Sequence, residues 1–190
     1  MILEQYADFE AAYINTALQA LGNGKFKVKT VALTKEPVHS YGGFVTLPDY
    51  SADDLPEAYD ALLLIGGMCW REEKARQVQP LVEQALAKGK FVGGICDAAG
   101  FLATTGVLNE VTHTGNDLAD IKCWAGASYT GEQYFVHRQA VRDGKIITAN
   151  GTASLEFAKE VMLALQAASV EAITTWYEFY KLGSYTVPRT

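Results

Sequence analysis

A chain of 190 residues, 49% hydrophobic and 20% charged, is long enough for one domain to bury a core without staples, and its composition excludes a disordered or fibrous protein. The net charge of −6, with no Lys/Arg cluster to offset it, argues against nucleic acid or anionic membranes as partners. No apolar run is long enough to span a bilayer, and Met1-Ile2-Leu3-Glu4 lacks the basic start of a secretory signal. Cys69, Cys96 and Cys123 form no C-x-x-C pair, which suits free thiols in a reducing cytoplasm.

Met1-Ile2-Leu3 reads as the tail of a first strand. From about Asp8 to Leu21, Phe9, Tyr13, Ala17 and Leu21 recur four apart, predicting a helix with Asp8 as its N-cap and Gly22-Asn23-Gly24 as its stop. Alternation over Phe26 to Leu33 predicts a strand, and Gly42 to Leu47 a short excursion or hairpin. Ala61 to Ile65 is a continuous apolar run, as in a buried parallel strand, and it feeds Gly66-Gly67. A helix follows with Val78, Leu81, Val82, Ala85 and Leu86 inward, then a buried strand over Phe91 to Ile95 and a helix over Asp97 to Thr104. Thr112 to Gly131 reads as irregular. Strands are predicted at Tyr134 to Val141 and Lys145 to Thr148, joined at Asp143-Gly144 by a type I′ turn. Leu155, Ala158, Val161, Met162 and Leu165 define a helix opened near Thr152, and a last helix from Ser169 to Leu182 carries Val170, Ile173, Tyr177 and Tyr180 on one face. The alternation predicts an α/β fold, a mostly parallel sheet covered on both faces, in one domain over residues 1–190.

Cys96 is the first residue past a buried strand, where ligands collect in an open α/β sheet. The surrounding Gly94-Ile95-Cys96-Asp97-Ala98 has the small residues two before and two after that a sharp nucleophile elbow demands. The helix N-terminus beneath the sulfur favours an anion, which predicts a lowered thiol pKa. The Asp97 amide points into the same space, and Gly66-Gly67-Met68 leaves a neighbouring strand at the same edge, so the amides of Asp97 and Gly67 are the candidate oxyanion donors. The competing reading of Cys96 is a small buried hydrophobe; strand, small flanks and helix together outweigh it. Cys69 and Cys123 read as structural or incidental.

No metal site is predicted, because the histidines and cysteines are scattered. No cofactor is predicted either, since neither glycine pair forms G-x-G-x-x-G or a Walker loop. Trp70, Trp124 and Tyr129 read as packing before pocket walls.

Four segments, Tyr6-Ala7-Asp8-Phe9-Glu10, Leu64-Ile65-Gly66-Gly67, Gly94-Ile95-Cys96-Asp97-Ala98 and Thr112-His113-Thr114-Gly115-Asn116, together resemble the ThiJ/PfpI superfamily, whose fold is shared with class I glutamine amidotransferases. Asp143 to Ala153 and Glu156-Phe157-Ala158 resemble its late hairpin and helix, so the likeness runs from Met1 to about Leu165. The resemblance implies a three-layer α/β/α sandwich with a doubly wound, flavodoxin-like sheet, and a homodimer. It also implies that the Glu10 carboxyl meets the Cys96 sulfur. Two anions in one small site repel, so Glu10 is expected to hold the proton and leave Cys96 largely thiolate. The plainer reading of Glu10 is a carboxylate favoured at a helix start. His113 is implied near the cysteine as a base or proton shuttle, against a plain loop-stapling role.

Two departures narrow the chemistry. Asp97 stands where protease-like members place a histidine, and none of His39, His113 or His137 opens a His-x-Glu element. Both count against peptidase and glutaminase activity. The expected function is a cysteine-dependent enzyme acting on a small carbonyl or amide-like substrate (hydrolase, glyoxalase-like or deglycase-like). The alternatives are a redox or stress-responsive protein with an oxidisable Cys96, and an amidotransferase-like domain without glutaminase activity.

Overall fold

The computed structural model describes residues 1–185. In chain order its elements are α1 (Asp8–Leu21), β1 (Val31–Ala32), β2 (Val38–His39), β3 (Val45–Thr46), β4 (Tyr50–Ser51), β5 (Ala61–Leu64), α2 (Gln79–Ala87), β6 (Phe91–Ile95), α3 (Asp97–Thr104), α4 (Leu118–Ala125), β7 (Ala140–Asp143), β8 (Ile146–Ala149), α5 (Ser154–Leu165) and α6 (Val170–Leu182). The main sheet runs β5-β6-β8-β7, with the first three strands parallel and β7 antiparallel at the edge. A parallel β1-β4 pair extends it through the first residues of the chain. Ile2 N–H donates to Val31 O (2.8 Å), and Ile65 N–H donates to Met1 O (3.1 Å).

Period-two alternation divides the core between the two faces of the sheet. Leu62, Leu64 and Val92 pack with Val78, Val82, Phe101, Leu102 and Ile121, under α2, α3 and α4. Ile65, Ile95 and Ile147 pack with Ile14, Leu18, Phe157, Val161 and Ile173, under α1, α5 and α6. The result is a mixed α/β fold with a parallel sheet between helical layers. Among the described residues, no helix is long and apolar enough to cross a membrane.

Several elements differ from their sequence-based boundaries, each for a local reason. The N-cap of α1 is Ala7, not Asp8. Asp8 accepts instead from Ser40 Oγ and Gly42 N–H, fastening the β2-β3 hairpin to the helix start. The buried stripe of α1 is Glu10, Ile14, Ala17 and Leu18, and Phe9 is exposed. The strand expected from Phe26 shrinks to Val31–Ala32, because Asp49 caps the ladder by accepting from Thr30 N–H (2.8 Å). The supposedly irregular Thr112–Gly131 contains α4, opened by Asp117 accepting from Asp120 N–H and held by buried Ile121 and Ala125. Residues from Tyr134 onward pair with His113 rather than with β8 (His113 N–H to Tyr134 O, 3.1 Å; Val136 N–H to His113 O, 2.9 Å), so only Ala140–Asp143 forms β7. Asp143 stays in the ladder opposite Ile146, and the turn is Gly144-Lys145. Only Gly144 has positive φ there (+54°), whereas type I′ needs two. On α6, Ile173 is buried but Val170 is exposed. The helix is pinned to α1 through Tyr13, whose ring meets Trp176 and Tyr180 at 6.3 and 5.3 Å.

Candidate active site

The site lies where β5, β6 and β8 end side by side. Cys96 follows β6 with φ +60° and ψ −132°, a region costly for a residue with a side chain and kept only where the surroundings over-determine it. Here they do. Cys96 N–H donates to Ala149 O (3.0 Å), tying the elbow to β8, while α3 begins at once with Asp97. Gly94 leaves room for that helix, since a Cβ there would lie 2.8 Å from Leu102 Cδ1 and 3.0 Å from Ala98 O.

α1 delivers Glu10 to the sulfur. Ala7 N–H donates to Gly66 O (2.8 Å), which sets the first turn of the helix over the end of β5. Glu10, 1% exposed, accepts from Gly66 N–H through Oε2 (2.8 Å) and faces the Cys96 side chain across Gly66. Gly66 is wedged between the two, because a Cβ on it would lie 2.5 Å from Glu10 Oε2 and 2.6 Å from Cys96 Cβ.

Burial raises the Glu10 carboxyl to about 7, against the opposing pull of its hydrogen bonds. Burial also raises the Cys96 thiol to about 11; the Glu10 charge adds to this, while donors from Asn116 and the Asp97 amide oppose it. The raised carboxyl agrees with expectation. A depressed thiol pKa does not, because desolvation outweighs the helix end here. Glu10 and Cys96 therefore titrate as a pair that holds at least one proton through neutrality.

Two neighbours of the sulfur escaped the sequence reading. Thr114 N–H donates to Thr148 Oγ1 (2.9 Å), running the 112–116 segment along β8 and placing Asn116 over the elbow. Asn116 Nδ2 donates to Cys96 Sγ (3.3 Å) and to Asp97 Oδ1 (3.4 Å), while its Oδ1 accepts from Gly151 N–H (2.8 Å). Gly151 is pressed to the thiol, since a Cβ there would lie 2.9 Å from Sγ. The only signal for Asn116 was its place at the end of the histidine segment, and Gly151 offered just a glycine after a strand.

Asp97 is held by Arg71, from the 3-10 turn Met68–Arg71 after β5, through Nε (2.9 Å) and Nη2 (3.2 Å). The same guanidinium binds Asp120 of α4 (3.0 and 2.6 Å) and lies 4.7 Å from the Trp124 ring centroid. The Asp97 amide, beside the sulfur at the start of α3, pulls the thiol pKa down. Gly67, at φ +150°, precedes the 3-10 turn and bridges to Tyr6.

His113 is not brought to the thiol. It is fully buried, with Nδ1 2.7 Å from Val111 O and Nε2 2.7 Å from Tyr129 Oη. A carbonyl can only accept, so Nδ1 carries the proton and Nε2 accepts from the tyrosine. Burial lowers its pKa and keeps the ring neutral. His39 pairs with Glu4, His137 stacks edge-on against Phe135, Cys69 is buried and Cys123 exposed. Trp70 is core, donating to Ile65 O (2.6 Å). Among the described residues, no three His, Cys, Asp or Glu side chains group to hold a metal. A cleft of about 650 Å³ opens between α1, residues 25–31 and the approach to β5. It contains none of the chemistry around Cys96, which defines the site better than volume does.

The arrangement is an α/β sheet whose cysteine sits on a strained strand-to-helix elbow at the carboxyl edge, against a buried glutamate. Residues 1–164 match the DJ-1/PfpI family, and the chain belongs to it. Over 186 residues it is 36% identical to a Bacillus subtilis protein named uncharacterized protease YdeA, covering 97% of this chain and 91% of that one. The crystal structure of the DJ-1 superfamily protein Atu0886 from Agrobacterium tumefaciens superposes with a TM-score of 0.87 at 34% identity, covering 95% of both chains. A thiJ/pfpI family protein from Bacillus anthracis gives 0.87 at 32%, covering 95% of this chain and 87% of that one.

Proposed function

We propose that the protein is a cysteine-dependent enzyme acting on a small carbonyl or amide-like compound, with Cys96 as nucleophile. The observation that carries the reading is the contact of Cys96, on its strained elbow, with the buried Glu10 carboxyl. In the proposed step Sγ bonds to the carbonyl carbon and the C=O π pair moves to oxygen. The amides of Asp97 and Gly67 hold that oxygen, and Glu10 carries the proton displaced from the thiol to it.

The Bacillus relative's name includes protease. For this chain we favour small substrates, because Asp97, bound to Arg71, occupies the position after the nucleophile and His113 has both ring nitrogens engaged elsewhere. Methylglyoxal, simple esters, amides, isonitriles and a denatured protein substrate, each with wild type and Cys96→Ser, test the reading. Turnover of one small substrate, lowered about a thousandfold or more by the substitution, is expected. Cleavage of the protein substrate alone would reverse the preference.

A second reading, a redox-responsive thiol, draws on the two N–H donors already aimed at the sulfur, from Asn116 and Asp97. A two-oxygen mass gain on Cys96 under mild peroxide, with no turnover, favours it. A homodimer belongs to the same proposal and is supported by the exposed apolar tip Tyr41, Phe44, Val45 and Leu47. Light scattering at micromolar concentration decides it.

A further inference from the structure

The groups around the sulfur are unequal in what they can do with a proton. Glu10, from α1, both accepts and donates. Asp97 presents an amide to the sulfur while its carboxylate is taken by Arg71, which also holds Asp120 of α4. The β8–α5 loop contributes Gly151, which does not titrate. Asn116 is the remaining side chain, and its orientation is fixed. Gly151 N–H requires an acceptor, so Oδ1 faces the loop and Nδ2 faces the sulfur (2.8 and 3.3 Å). Turned that way, Asn116 can only donate to Sγ, so it stabilises sulfur as an acceptor and offers nothing to an S–H proton.

We propose that Asn116 is a catalytic residue: by donating to Cys96 Sγ, it biases the proton shared by Cys96 and Glu10 toward Glu10 and raises the fraction of anionic sulfur. The step is a proton transfer from Sγ to a Glu10 carboxylate oxygen. Negative charge passes from carboxylate to sulfur, and the charge of the pair does not change. Gly151 is part of the device, because its N–H sets the amide orientation and its missing side chain lets Asn116 and the loop close on the sulfur.

The inference rests on Cys96 as the reacting atom, but its test needs no substrate. Iodoacetamide labelling of the full chain is followed from pH 5 to 12, so that the window spans the raised thiol, and read at Cys96 by peptide mass spectrometry. Exposed Cys123 serves as internal reference and circular dichroism as the check on folding. Asn116→Asp keeps the shape and the Gly151 contact but replaces the donor with an acceptor. It is expected to move the Cys96 midpoint up by about one pH unit or more and slow labelling roughly tenfold at pH 7. Asn116→Ala removes the donor without adding charge, and roughly threefold slowing with a smaller upward shift is expected. The alanine variant decides the matter alone if the aspartate variant does not fold. An unmoved midpoint in the folded variants overturns the proposal, as does slowing by one factor at every pH, which would make Asn116 only a positioning residue. A reactive Cys96 that turns over nothing in the substrate panel would instead sink the enzyme reading and leave this one standing.

Discussion

Glu10 and His113 are both buried titratable side chains, yet their surroundings differ in kind. His113 has a partner for each ring nitrogen, one a backbone carbonyl and one the Tyr129 hydroxyl, so its tautomer is fixed and it has no free valence for a substrate. Glu10 has one firm backbone donor, Gly66 N–H, and otherwise faces a thiol with which it shares a proton. Burial alone does not mark a reactive group. What separates the two regions is whether hydrogen bonding is complete without the reacting atom.

The largest effect that would break this comparison is on the pH dependence of stability. Glu10 rises from 4.5 to about 7 in the folded protein, so the fold binds its proton more tightly than the unfolded chain does. That stabilisation is full below about pH 4.5 and disappears as pH rises through about 7, on the order of 3 kcal/mol in all. Glu10→Gln should flatten this part of the profile in urea unfolding between pH 4 and 8. An unchanged slope would mean that Glu10 is not the group that titrates.

His113→Ala comes next. It should cost about 2–3 kcal/mol, by removing buried volume and orphaning the Tyr129 hydroxyl. Cys96 alkylation should stay within about twofold of wild type, and a large loss of thiol reactivity would return His113 to the site. Gly151→Ala sharpens the other side. Its Cβ would crowd Sγ at 2.9 Å, so about 1–2 kcal/mol of thermal stability should be lost and alkylation slowed. Arg71→Gln is expected to be mildest. Its bridges are partly exposed, 42% for Arg71 and 42% for Asp120, so at most about 1 kcal/mol should be lost, less in high salt.

Legibility in the sequence followed the strength of local pattern. The run Phe91–Ile95 with Asp97–Thr104 behind it was readable to the residue, because a continuous apolar strand, small elbow residues and a helix start coincide. Glu10 was placed by family likeness rather than by its own pattern, since a first-turn carboxylate is ordinary. Asn116 and Gly151 were not legible. Their roles depend on β6 lying beside β8 and on Thr114 bonding Thr148, contacts between segments more than thirty residues apart. α4 was hidden because eight residues with two buried positions carry little periodicity.

The left-handed backbone at Cys96 sets reactivity against durability. A side chain at φ +60° costs on the order of 1–3 kcal/mol, and a glycine at that position would recover part of it. Cys96→Gly, an inert protein under the proposed chemistry, is therefore expected to melt higher than wild type. Selection for heat resistance alone would be drawn to the residue that makes the protein reactive, so any effort to harden this scaffold must screen for the thiol as well as the melting point.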